Sequence, residues 1–115
     1  MDIIVQSLGF KADDALEQFV KEKVGKLDEY SGKIVRADVT LYDGAKRSAV
    51  TTFCEIRLEI PGNDLFVKKG ATQFETAIVD AADTLQQMMI KEKEKRIDNR
   101  RRRRPDDSDQ DETAG

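Results

Sequence analysis

Four stretches of this chain alternate or cluster like strands, and two repeat at helical period. Residues 2–7, DIIVQS, form a short β-branched apolar run that reads as a strand and breaks at Gly9. From Ala12 the period changes: Leu16, Phe19, Val20, Val24 and Leu27 recur at steps of three and four, the stripe of an amphipathic helix. Asp13 suits the N-cap, Asp14 and Glu17 place acid in the first turn, and Ser31-Gly32 marks the end. Residues 34–42, IVRADVTLY, alternate: Val35, Ala37, Val39 and Leu41 share one face, and Arg36, Asp38, Thr40 and Tyr42 the other. A polar connection, DGAKRSA, opens on Asp-Gly. Residues 50–60, VTTFCEIRLEI, alternate again, with Cys54, Ile56, Leu58 and Ile60 opposite Phe53, Glu55, Arg57 and Glu59. Pro61-Gly62-Asn63-Asp64 is a turn, and LFVKKG (65–70) is a fourth short strand. A second helix is predicted from about Thr72, with Phe74, Ala77, Ile78, Ala81, Ala82, Leu85, Met88 and Met89 on one stripe. The stripe fades near Ile90, a charged extension KEKEKRI follows, and Pro105 stops any remaining helix.

The predicted order is β-α-β-β-β-α. Three consecutive hairpin-linked strands imply an antiparallel meander, and the opening strand-helix-strand implies a crossover that pairs the first strand in parallel. Each helix has one apolar stripe and the sheet has one apolar face. The fold class expected is therefore α+β, a four-stranded sheet with two helices packed on one face. Residues 1–98 form the expected domain, and residues 99–115 a basic then acidic tail, whose DDSDQDETAG stretch lacks the apolar residues needed for order.

Composition narrows the chemistry. The chain has 115 residues, which suits one domain with a tail. No apolar run approaches the roughly 20 residues that span a bilayer. MDIIVQS has neither a basic n-region nor a long apolar stretch and does not read as a signal peptide. A single cysteine, Cys54, forbids an internal disulfide and fits a reducing compartment, so a cytoplasmic location is expected. There is no histidine, which removes the commonest general base and metal ligand. Cys54 falls on the inward strand face, where a thiol is a small hydrophobe. The acid pairs Asp13/Asp14 and Asp28/Glu29 sit near helix ends and read as caps and solvated charge. No phosphate-binding glycine loop and no dinucleotide fingerprint is present; LGFKA and DGAKRS lack the spacing. Asp106–Glu112 lacks the central glycine and the terminal bidentate glutamate of a calcium loop. No cofactor and no enzymatic activity are expected.

The charge distribution says more than the net charge of −3. Residues 91–104 carry nine Lys/Arg against three acids, residues 105–115 carry five acids and no base, and residues 1–90 are net −4. Lys23 and Lys26 lie three apart on the first helix and Lys33 follows it. Lys91, Lys93, Lys95, Arg96 and the run Arg100, Arg101, Arg102, Arg103 and Arg104 extend from the second. With both helices on one side of the sheet these groups could form a rim that binds phosphate backbones and releases counterions. The plain alternative is a solvated face in which Glu22, Glu92 and Glu94 pair with lysines one turn away. Five consecutive arginines repel one another and point to a polyanion partner. Tyr42 and Phe53 are the few surface aromatics, so backbone or shape recognition is expected rather than base reading.

The element order, together with KEKVGKLDEY (21–30) and LFVKKGATQFETAIVDAADTL (65–85), resembles the short ribosome hibernation promoting factors, also called ribosome-associated inhibitors. The resemblance covers about residues 1–98. It rests on the Lys23, Lys26 and Leu27 spacing before Tyr30, the PGNDLFV hairpin, and the series Phe74, Ala77, Ile78 and Asp80. It implies a non-enzymatic protein that binds the small ribosomal subunit in the decoding region. Basic residues of the two helices would contact ribosomal RNA, exclude messenger and transfer RNA, and protect idle ribosomes during slow growth. It implies no membrane and no small-molecule substrate. The family's long form adds a C-terminal dimerisation domain; this chain looks like the short form. Lys23, Lys26 and Lys91 match basic family positions, whereas Thr84, Gln87 and Ile90 stand where the family usually has basic residues. The extension from Lys93 to Arg104 would substitute for them, and the acidic tail would stay solvated or fold back on the arginines. The competing expectations are a general double-stranded RNA-binding module, a small ferredoxin-like enzyme, and a partner-binding domain that uses the open sheet face.

Overall fold

The computed structural model describes residues 1–31, 33–44 and 50–102, with side chains described through residue 94. The elements are β1 (Asp2–Leu8), α1 (Asp14–Gly25), a 3-10 turn (Lys26–Glu29), β2 (Arg36–Asp43), β3 (Thr52–Glu59), β4 (Leu65–Ala71) and α2 (Phe74–Arg102). The sheet order is β1-β2-β3-β4, with β1 parallel to β2 and the other pairs antiparallel. The parallel pair needs a crossover, and α1 supplies it. The α+β class and the two-helix, four-strand layering expected from the pattern are what the chain forms.

The strand alternation sorts the side chains by face. Ala37, Val39 and Leu41 of β2, Cys54, Ile56 and Leu58 of β3, and Leu65 and Val67 of β4 point into one core. Val20, Val24 and Leu27 reach it from the first helical segment, and Ala77, Ile78, Ala81, Leu85 and Met89 from α2. α1 lies over β1, and α2 over β3 and β4. Thr52, the buried polar residue of this core, donates its hydroxyl to the Ala71 carbonyl at 2.8 Å, so its burial leaves no unpaired group.

Local signals account for most element ends. The Asp13 carboxylate accepts from the Leu16 N–H at 2.8 Å, and Asp14 and Glu17 face the positive end of the helix dipole. The α-helix stops at Gly25, where glycine pays the largest backbone entropy, and the chain tightens into the 3-10 turn that buries Leu27. The pattern had carried one helix through to Ser31-Gly32; the apolar period alone does not separate an α turn from a 3-10 turn.

Val35 is a correction. Strict alternation set it inward beside Ala37, yet it is 51% exposed while Ile34 is buried. The Val35 N–H donates to the Glu59 carbonyl at 2.8 Å, and Arg36 is also the ladder partner of Glu59. Two residues thus oppose one, a bulge that shifts the alternation before β2 begins.

The Pro61-Gly62 turn closes with the Asn63 N–H on the Ile60 carbonyl at 3.0 Å, and Gly62 sits at φ 87°. Pro followed by a positive-φ glycine is a type II arrangement. Asp64 braces it, accepting from the Ile60 N–H at 3.3 Å and from Arg57 at 3.1 Å.

α2 is 29 residues long, about 43 Å at helical rise. Its last core residue is Met89, so the helix continues past the globular body. The expected boundary at 98/99 falls inside this helix, and residues 103–115 lie outside the described residues.

Candidate nucleic-acid interface

The two helical segments meet in a groove. Lys23 and Lys26 border it from one side, and Val79, Ala82, Asp83 and Gln86 from the α2 side, around a volume of about 220 Å³. The α2 residues recur at steps of three and four, which places them on one strip facing the first helix. Followed further, the strip reaches Ile90 and Lys93. These line a second cleft of about 260 Å³ with Glu29, Tyr30, Met89 and Glu94. Beside it lies a third cleft of about 340 Å³, whose walls include Tyr30, Lys33, Asn63 and Lys93.

The structure thus brings Lys23 and Lys26 together on the interhelical groove and brings Lys33 and Lys93 together at its far end. Lys91 is exposed but lines none of these clefts. Two residues back from Lys93, it is turned by about 200° along the helix, onto the outer face. The side chains of Lys95, Arg96, Arg100, Arg101 and Arg102 lie outside the described residues, although their backbone continues α2. Arg103 and Arg104 lie outside them altogether.

The cleft lysines stand outside ion pairs, as do the other described lysines, and are set apart by their grouping along the groove. Among the described residues, the ion pairs are the Met1 amine with Asp28 at 3.7 Å, Arg36 with Asp38 at 3.2 Å, and Arg57 with Asp64 at 3.1 Å. Lys23, Lys26, Lys33, Lys91 and Lys93 take part in none of them. The one-turn pairing of Glu22 with Lys26 does not form. Lys23 instead holds its ammonium 5.4 Å from the Phe19 ring centroid, an arrangement that leaves it without an ion-pair partner among the described residues. Hydrated, unpaired ammonium groups along a groove can exchange water and counterions for phosphate oxygens.

The candidate stacking aromatics are engaged within the protein. Tyr42 and Phe53 stack on the open sheet face with centroids 5.4 Å apart and planes at 18°. The Lys68 ammonium lies 5.2 Å from the Phe53 centroid and 5.8 Å from that of Tyr42. Burial raises the Tyr42 hydroxyl above its usual pKa, with the Glu55 carboxylate adding to it, and the Tyr42 hydroxyl in turn raises Lys68, so the tyrosine is neutral and the lysine charged at neutral pH. Phe53 is also held edge-on: a Cβ at Gly70 would lie 2.7 Å from one ring carbon and 2.5 Å from Val50 Cγ1. The exposed aromatic near the lysines is Tyr30, at 38% exposure, on the far side of the molecule from this pair's sheet face. Sequence reasoning noted Tyr30 for its spacing without assigning it a site; its place off the apolar stripe was the available signal.

Other chemistry finds no support in the geometry. Cys54 is fully buried, and burial, with a smaller push from Glu55, raises its thiol to about 12, so it is not a thiolate nucleophile. Among the described residues no group of three or more His, Cys, Asp or Glu side chains is placed to hold a metal. No described helix is long and apolar enough to cross a membrane.

Two helices on one face of a mixed four-stranded sheet define a small α+β domain whose helical groove and its end carry four lysines outside any ion pair among the described residues, interspersed with Asp83, Glu29, Glu92 and Glu94. The family described as Sigma 54 modulation protein / S30EA ribosomal protein matches residues 3–97, and the chain belongs to it. It is 26% identical over 108 residues to a ribosome hibernation promoting factor of Azotobacter vinelandii, covering 94% of this chain and 97% of that one. It is 28% identical over 98 residues to a ribosome hibernation promotion factor of Deinococcus radiodurans, covering 81% of this chain but 49% of the relative, about half its length. Among solved structures, the Thermus thermophilus Protein Y N-terminal domain superposes with a TM-score of 0.69 at 26% identity, over 77% of this chain and 96% of that one. A ribosomal subunit interface protein from Coxiella burnetii shares the fold, with a TM-score of 0.71 at 13% identity, over 81% and 98% of the two chains.

Proposed function

We propose that this chain is a ribosome hibernation factor that binds the small ribosomal subunit through its ribosomal RNA, occupies the decoding region, and inhibits translation without catalysis. Family membership and the names of the relatives support the ribosome as partner. The observation that carries the molecular reading is the row of unpaired ammonium groups, Lys23 and Lys26 on the interhelical groove and Lys33 and Lys93 at its end. Messenger and transfer RNA would be excluded by occupancy, and the place of action is the cytoplasm, where the ribosomes are. Lys91 and the basic extension, Lys95, Arg96 and Arg100–Arg104, would add phosphate contacts beyond the globular body.

Co-sedimentation with small subunits across a salt series, with free duplex RNA as competitor, tests the reading. The protein is expected to stay with the subunit in the presence of the competitor. A Lys23→Ala/Lys26→Ala variant should bind more weakly and lower the slope of log K against log salt by about 1.4 to 1.8, at 0.7 to 0.9 per phosphate contact. Equal loss to free duplex would instead define a general double-stranded RNA-binding module. No binding at low salt would reduce the lysines to a solvated face.

A further inference from the structure

Building on the ribosomal-RNA reading, we infer that the cleft between Tyr30, the β3–β4 turn and α2 receives one unstacked nucleotide, its base on the Tyr30 ring and its phosphate between Lys33 and Lys93. The cleft of about 340 Å³ falls at the small end of the range for ligand pockets and suits a single base. Its floor is apolar, built from Ile60, Leu65 and Met89, and its rim is polar.

The rim has the groups a nucleotide needs. Tyr30 presents 38% of its surface at the lip, and its backbone is fixed by its N–H on the Leu27 carbonyl at 3.0 Å. Aromatic faces bind unstacked bases regardless of sequence, because every base has a π face. Lys33 and Lys93 have no ion-pair partner among the described residues, so they supply charge for a phosphate. The Asn63 side-chain amide makes no hydrogen bond among the described residues and offers both a donor and an acceptor to a base edge. The wall carrying Asn63 is preformed, because Asp64 and the Pro61-Gly62 geometry brace the turn. The cost of ordering it is met on folding rather than on binding.

Charge decides the orientation. The cleft on the other side of Tyr30 carries Glu29 and Glu94 against Lys93 alone, whereas the larger cleft carries Lys33 and Lys93 against Glu92 alone. A phosphate is favoured on the larger side and disfavoured on the smaller. A duplex cannot use the site, since its bases are stacked and paired.

The test uses the full chain and a single-stranded RNA hexamer with one 2-aminopurine, whose emission falls when it stacks on an aromatic ring. The same strand annealed to its complement serves as control, and small-subunit co-sedimentation runs alongside. Wild type is expected to quench the single strand and not the duplex. Tyr30→Phe, which keeps the ring, should retain the quench. Tyr30→Leu should lose it and weaken hexamer binding about 5- to 150-fold, the range of one base–aromatic stack. A thermal melt of each variant checks that the fold is kept. A quench by Tyr30→Leu equal to wild type overturns the inference. So does a wild-type protein that quenches nothing, as it would with a protein side chain as the true occupant. In either case, retained co-sedimentation with small subunits leaves the ribosome reading standing. Wild-type protein that fails to sediment with small subunits removes that reading itself.

Discussion

The aromatic pair on the open sheet face is built as a brace, and replacing Gly70 by alanine measures it. A Cβ at Gly70 would lie 2.7 Å from Phe53 Cε1 and 2.5 Å from Val50 Cγ1, both well inside normal contact. The ring has little room to retreat, because Tyr42 stacks on it at 5.4 Å and a Cβ at Gly44 would meet its opposite edge. Overpacking of this kind costs about 1 to 3 kcal/mol. Removing a glycine from an extended strand returns about 0.4 to 1 kcal/mol through the unfolded chain. Gly70→Ala should therefore destabilise the wild type by up to about 2.6 kcal/mol. In a Phe53→Ala background the ring contact is gone and the Val50 contact remains, so the same substitution should cost less than in the wild type. Urea melts of the four proteins give the coupling energy directly, provided the m-value stays constant across the set. A Gly70→Ala change that stabilises both backgrounds equally refutes the brace. The cycle has a functional arm. Phe53→Ala, assayed below its melting temperature, should bind small subunits as the wild type does, because its ring face is spent inside the protein. A loss comparable to that of the lysine variants would make the open sheet face part of the interface.

Other outcomes follow from the same geometry. Cys54 should resist a disulfide-exchange reagent in native protein at pH 8 and react fully once unfolded, because the thiol is buried and raised to about 12. That shift has a sign: the folded state keeps the proton that the unfolded thiol, near 9.0, gives up, so stability present below pH 9 is lost progressively as pH rises towards 12. Between pH 8 and pH 10 the wild type should lose about 1 kcal/mol more than Cys54→Ala, read by urea melts; equal losses would contradict the shift. Leu85→Ala should cost about 2 to 5 kcal/mol in the same assay, since Leu85 is fully buried where α2 meets the sheet. Replacing Arg100–Arg104 by serine should weaken small-subunit binding and flatten its salt dependence; an unchanged slope would remove the arginines from the interface.

Much of this fold was legible because single residues agree with their neighbours. Ala37, Val39 and Leu41 alternate into the core as their spacing predicts, and the Asp13 cap and the α2 stripe from Ala77 to Met89 lie where their patterns place them. Val35 was misread because the bulge opposite Glu59 depends on a partner strand more than 20 residues away, which no local alternation can reveal. The 3-10 turn after Gly25 keeps the apolar period of the helix, so Leu27 stays buried and the change leaves no trace in the pattern. For the candidate site, sequence spacing identified the lysines but not their grouping. Lys91 and Lys93 are near neighbours in the chain, yet helical rotation sends one outward and the other to the cleft with Lys33. Tyr30 and Asn63 come from separate elements, and only the packing of the 3-10 turn, the β3–β4 turn and α2 sets them around one cavity. Tyr42 and Phe53 looked available on their alternating strands; the register that stacks them on each other and under Lys68 is a cross-strand property.

The most direct test of the central claim is a chemical footprint of small-subunit ribosomal RNA with and without the full chain, beside the Lys23→Ala/Lys26→Ala variant. Protections are expected to concentrate in the decoding region and to weaken at matched concentration with the double variant. Protections scattered over exposed duplex regions, or an unchanged pattern on adding the protein, would contradict it.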